Sequence, residues 1–188
     1  VSTQKLFTTR LTIVSMTKPF SLPDAATIRY GRGNTSGSIL VFDQMGYLRA
    51  ASSPIVNNNA WENARDIMLF DIDKDGILEI IISADDTYDG VIEIYDFYSN
   101  NSFRKKWTNL YVSTPSHESI NTIAVGDVDN DGVFEIVGGA GEYIYVYNYL
   151  TSNKEWQSLQ HSDASWLGIG EINIADIDND GDKEIVSM

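Results

Sequence analysis

The chain has no cysteine, only two histidines and four prolines, and 13 basic side chains against 27 acidic ones. Lack of cysteine excludes disulfides, thiolate metal ligation and thiol nucleophiles, and leaves the redox compartment unmarked. His117 and His161 offer little for a histidine relay, and no serine stands in a nucleophile elbow. A net charge of −14 argues against nucleic acid as a partner. No apolar run reaches membrane-spanning length, so a soluble globular piece with no membrane insertion is expected. Proline, glycine and charge placement leaves no helix of useful length. The chain opens on Val1 with no signal peptide, which suggests a mature protein or an excised segment.

What the chain does contain is one acidic loop written three times: Asp71-Ile72-Asp73-Lys74-Asp75-Gly76, Asp127-Val128-Asp129-Asn130-Asp131-Gly132 and Asp176-Ile177-Asp178-Asn179-Asp180-Gly181. Three residues after each glycine stands a glutamate, Glu79, Glu135 or Glu184. Without these twelve acids the net charge would be −2, so the acidity is local. Carboxylates crowded in this way repel, and a hard divalent cation relieves the repulsion. Positions 1, 3 and 5 throw carboxylate oxygens to one side of a tight turn. The glycine at position 6 permits the reversal, after which the carbonyl of Ile77, Val133 or Asp182 can face the ion. Position 2 is the apolar Ile72, Val128 or Ile177, suited to anchoring each loop on a core. Three calcium sites are expected. A single such loop could be no more than an acidic hairpin turn; three in register, each with the ninth-position acid, argue for metal.

An EF-hand loop starts similarly but requires an acid at position 12, where this chain has Ile82, Gly138 and Ser187. Before each loop, Ile67 and Leu69, Ile123 and Val125, and Ile172 and Ile174 alternate as in a half-buried strand. After each loop come β-prone runs such as Ile80-Ile81-Ile82 and Ile136-Val137. The unit is strand, metal loop, strand. The loops repeat at intervals of 56 and 49 residues, and the runs Val91–Tyr95, Arg104–Trp107, Tyr143–Tyr147 and Lys154–Trp156 supply two further strands per unit.

Such four-stranded units predict an all-β fold, a β-propeller with strand one lining the channel and strand four outside. The expected divisions are a degenerate blade without a metal loop over residues 1–57, a blade over 58–113 with loop 71–79, a blade over 114–162 with loop 127–135, and a half blade over 163–188 with loop 176–184. In the first, Pro19 and Pro23 stand where the acidic loop would be. Either the N-terminal strands complete the last blade in a four-bladed ring, or the chain is a segment of a larger propeller; the second is favoured because an open half blade leaves unpaired edges.

The D-x-D-x-D-G-x-x-E pattern followed by aliphatic residues, together with Gly138-Gly139-Ala140-Gly141, resembles the FG-GAP/VCBS repeats of integrin α-subunit propellers and their microbial relatives. The resemblance covers residues 62–188 well and 11–55 poorly. It implies a calcium-stabilised propeller, often at a cell surface, with metal loops joining strands one and two on one face. The family more often carries Asp at the ninth position, and the Glu found here reaches one methylene farther.

A function would sit elsewhere, since the repeat specifies a fold and not an activity. Ten residues before each loop stand Trp61, His117 and Trp166, on what is expected to be the non-metal face. They read either as packing over neighbouring blades or as a stacking platform for a carbohydrate or protein ligand. Trp107 and Trp156 are expected to pack between blades. The sequons at Asn34 and Asn100, and the near-millimolar free calcium such loops need, place the chain outside the cytosol. The expected role is a non-enzymatic adhesion, ligand-binding or surface-assembly module, its partners a protein or carbohydrate ligand and whatever completes the last blade. The enzymatic alternative is part of a propeller-type polysaccharide lyase, where calcium would neutralise a uronate carboxylate.

Overall fold

In the computed structural model the described residues are 11–13, 25–29, 37–43, 45–53, 63–86, 89–108, 119–160 and 168–188. Fourteen strands account for their regular structure. Strands β1 (Leu11–Ile13), β2 (Ala25–Arg29), β3 (Ser38–Phe42) and β4 (Leu48–Ala51) form the first antiparallel sheet. The second comprises β5 (Asn63–Phe70), β6 (Glu79–Asp86), β7 (Asp89–Phe97) and β8 (Phe103–Thr108). The third comprises β9 (Ile120–Gly126), β10 (Glu135–Ala140), β11 (Tyr143–Asn148) and β12 (Lys154–Gln157), and β13 (Ile172–Ala175) pairs with β14 (Glu184–Ser187) alone. Each sheet is a simple meander with strands in chain order, as expected of blades.

The sheets stack face to face. Ile80 and Ile82 of β6 lie in a core shared with Ala26, Ile39 and Val41 of the first blade. Ile81, between them, points the opposite way into a core with Ile120, Ile123 and Ile136 of the third. A strand whose successive side chains are all apolar makes sense only where both faces are covered. The same alternation carries Val137 and Ile144 into a third core with Ile169 and Ile172 of the last pair. β5 touches β2 on one side and β9 on the other, and β9 touches β13, so each sheet packs against the next in chain order while β12 lies exposed.

Close packing depends on two small residues in the third blade. A Cβ on Gly138 would approach Ile120 Cγ2 to 3.1 Å, and one on Gly139 would approach Ile169 Cγ2 to 2.7 Å. Glycine on opposite faces of β10 thus lets both neighbours come in close.

The described N-terminal strands do not complete the last blade: β1 pairs with β2 in its own sheet, and β14 pairs only with β13 among the described residues. No ring is closed by these strands. Trp107 joins the core between the second and third blades, as expected, but Trp156 is 50% exposed. The difference is physical: a third blade's outer strand is covered only by a following outer strand, and none pairs or packs there among the described residues. Trp61, His117, Trp166, His161 and Asn34 lie outside the described residues, while Asn100 sits in an exposed turn.

Candidate metal centre

Each acidic loop bridges the first and second strands of its sheet, β5 to β6, β9 to β10 and β13 to β14. Their internal bonding repeats. The position-6 amide donates to the first Asp: Gly76 to Asp71 Oδ2 at 2.9 Å, Gly132 to Asp127 Oδ2 at 3.1 Å, Gly181 to Asp176 Oδ2 at 3.0 Å. The Asp at position 5 caps position 7: Ile77 N–H to Asp75 Oδ1 at 2.7 Å, Val133 to Asp131 Oδ1 at 2.7 Å, Asp182 to Asp180 Oδ1 at 2.9 Å. The ninth-position glutamate uses its extra methylene to reach back across the loop. Glu79 Oε2 accepts from Ile72 N–H at 3.0 Å, Glu135 Oε2 from Val128 at 2.8 Å, and Glu184 Oε2 from Ile177 at 2.9 Å. One oxygen of each glutamate clasps its loop, and in the first two loops the glutamate also belongs to the acidic triad.

Position 4 carries a left-handed backbone in all three loops, with φ of 60° at Lys74, 61° at Asn130 and 63° at Asn179. Asparagine tolerates this conformation better than most residues. From there the first two side chains reach the next loop: Lys74 Nζ donates to Gly132 O at 2.6 Å and lies 4.4 Å from the Phe134 ring centroid, and Asn130 Nδ2 donates to Asp182 Oδ1 at 2.7 Å. The loops therefore lie side by side on one rim.

Carboxylate oxygens converge at Asp71, Asp73 and Glu79, at Asp127, Asp129 and Glu135, and at Asp176, Asp178 and Asp180. Asp75, Asp131 and Glu184 fall outside these triads. The apolar anchors differ along the chain. Ile72 is 2% exposed against the third blade and Val128 packs towards the last pair, but Ile177 is 66% exposed. Position 2 anchors its loop on the following blade, so the third anchor has nothing described to rest on.

The second loop fits a dication best. Glu135 is 0% exposed, and its Oε1 and Asp127 Oδ1 are buried without a hydrogen-bond partner among the described residues. Burial pushes the Glu135 carboxyl up to about 7 against the pull of the Val128 amide, with Asp129 and Glu155 adding repulsion. Two buried oxygens within one acidic triad, with nothing to donate to them, are what a hard cation would satisfy.

The first loop differs. Lys106 Nζ, from β8, is hydrogen bonded to Asp73 Oδ2 and lies 3.2 Å from Glu79 Oε1 and 3.5 Å from Asp96 Oδ1. Burial opposes the charged ammonium, but its bonds to Asp73 and Glu79 outweigh this and hold the amine above its ordinary range. Sequence reading missed Lys106, because it lies 27 residues beyond Glu79 on the outermost strand.

Residues 71–138 match the FG-GAP-like repeat family. The stretch spans the first loop, the rest of the second blade and the second loop with most of β10, so the chain carries an FG-GAP-like repeat there, a module whose members are generally calcium-binding propeller blades. No curated protein sequence matches the chain.

Proposed function

We propose that the chain is a calcium-stabilised β-propeller module working outside the cytosol in adhesion, ligand binding or surface assembly. The observation that carries the metal reading is the pair of donor-less buried oxygens, Asp127 Oδ1 and Glu135 Oε1, at a rim where neighbouring blades meet. Calcium suits them better than zinc because the available donors are all hard oxygens, carboxylates and a backbone carbonyl. The residues that would hold ions are Asp71, Asp73, Asp75, Glu79 and the Ile77 carbonyl; Asp127, Asp129, Asp131, Glu135 and the Val133 carbonyl; and Asp176, Asp178, Asp180, Glu184 and the Asp182 carbonyl. When bound, the ion neutralises the loop and fixes the turn from first to second strand.

A binding role is favoured over an enzymatic one because the proposal commits the concentrated carboxylates to cations, and the described residues show no nucleophile, base and orienting group arranged as a relay. The exposed Ile177 supports a further partner, either more blades or another polypeptide, lying against the last strand pair. Calcium titration of the chelator-stripped chain, followed by calorimetry and thermal melting, tests the reading. Saturable uptake with a rise in melting temperature supports it; no heat and no shift would remove it.

A further inference from the structure

Lys106 and Glu155 occupy equivalent places in the second and third blades. In the second, Ile94 faces Trp107 and Tyr95 faces Lys105, so Lys106 is the extra residue of a β-bulge. In the third, Val146 faces Trp156 and Tyr147 faces Lys154, and Glu155 is the extra residue. A bulge re-aims the side chain it carries: Lys106 reaches the acidic loop itself, and Glu155 bonds Asn148, the strand partner of Glu135. Their inner neighbours change with them. Asp96 stands by Lys106, and the corresponding Asn148 donates through Nδ2 to Glu155 Oε1 at 3.0 Å.

The oxygen inventory follows the charge. In the first loop Asp71 Oδ1 accepts from Asp75 N–H at 2.9 Å and its Oδ2 from Gly76 N–H at 2.9 Å, while Asp73 Oδ2 and Glu79 Oε1 receive Lys106. The triad is satisfied by donors within the chain. In the second loop two triad oxygens have no donor, and no acid of that loop makes an ion pair among the described residues.

We propose that the outer-strand bulge residue sets the cation affinity of each loop: Lys106 is a tethered cation that takes the metal's place in loop 71–79, whereas Glu155 enriches loop 127–135 for calcium. The loops are then unequal sites despite their shared sequence, and the first accepts calcium only if the ammonium swings out. The swing exchanges one bound charge for two and breaks the Lys106 contacts with Asp73, Glu79 and Asp96. Nothing within loop 71–79 itself signals this, because the deciding residue belongs to another strand.

The inference rests on the calcium reading above, and the test separates the two. Amide resonances of Gly76 and Gly132 in the full chain report the two loops individually as calcium is added. In the unaltered chain the Gly132 midpoint is expected at a calcium concentration at least about tenfold below that of Gly76. Lys106→Met should bring the Gly76 midpoint down towards that of Gly132, and Glu155→Lys should raise the Gly132 midpoint. The second variant alters an exposed side chain, so it remains informative if the first fails to fold. Coincident midpoints in the unaltered chain, or variants that leave the midpoints in place, overturn the proposal while leaving calcium binding intact. Resonances that never move at either glycine overturn the calcium reading itself, and the proposal with it.

Discussion

The carboxylate of Asp66, on β5, accepts the backbone N–H of Ile123, on β9, at 3.1 Å. This bond crosses from the second blade to the third near their inner strands. Asp66 is 3% exposed and also accepts from its neighbour Ile67 at 2.9 Å, with Thr122 Oγ1 at 3.4 Å. A bulge at Arg65 turns it towards the third blade, since Ala64 and Ile67 on either side both face the first. β9 carries a matching bulge at Asn121, which places Thr122 at the same point of its own blade.

Replacing Asp66 by Ala should therefore strand buried amides and destabilise the chain by about 3 kcal/mol. Asp66→Asn, which keeps one carbonyl acceptor, should lose less. Urea denaturation of the three proteins checks the order, and an Asp66→Ala midpoint equal to that of the unaltered chain would remove the staple from the account.

Gly139 is a packing position. Its Cβ in Gly139→Ala would sit 2.7 Å from Ile169 Cγ2 and 3.0 Å from Thr122 Cγ2, so about 1–3 kcal/mol of stability should be lost through overpacking. Ile169→Ala removes the obstructing methyl. In a double-mutant cycle Gly139→Ala should cost measurably less in that background; strict additivity would argue against the contact.

Asn130 combines a backbone that asparagine tolerates with a link to the next loop. Asn130→Ala should lose about 1–2 kcal/mol, from left-handed strain and from the lost bond to Asp182. Asn130→Gly, relieved of the strain, should recover part of it. Thermal melting in the presence of chelator reads both changes without a contribution from metal.

Glu135→Gln keeps the side chain's volume and an acceptor for the Val128 amide but removes a buried charge. Without metal the variant should melt at or above the temperature of the unaltered chain, since the charge has no donor at Oε1. With calcium the order should reverse, because one ligand has lost its charge. Melting curves in chelator and in excess calcium give the four values needed, and a variant below the unaltered chain in both would place Glu135 as a purely structural residue.

Much of this was legible along the chain. Alternation before each loop, the β-prone run after it and the repeat interval locate the four-strand meanders, and the run Ile80-Ile81-Ile82 already implies a sheet covered on both faces. The three acidic loops also follow from spacing, though not which of their acids converge. What spacing does not carry is the traffic between strands far apart in sequence. Lys106 reaches the first loop from β8 and Asp66 reaches β9, each through a bulge that resets which way a side chain points. A bulge depends on how two strands settle against each other, so period-two reading passes over it. The exposure of Ile177 and Trp156 was hidden for a related reason: burial there depends on a neighbour and not on the residue.

Because Ile81 faces one adjoining sheet and Ile80 and Ile82 the other, no single meander can keep its greasy flanks dry by itself. Pulling on one end should thus peel the units off in sequence, each departure uncovering a wall on the next and loosening it, so that resistance to force grows with the number of intact neighbours and not with the strength of any one of them.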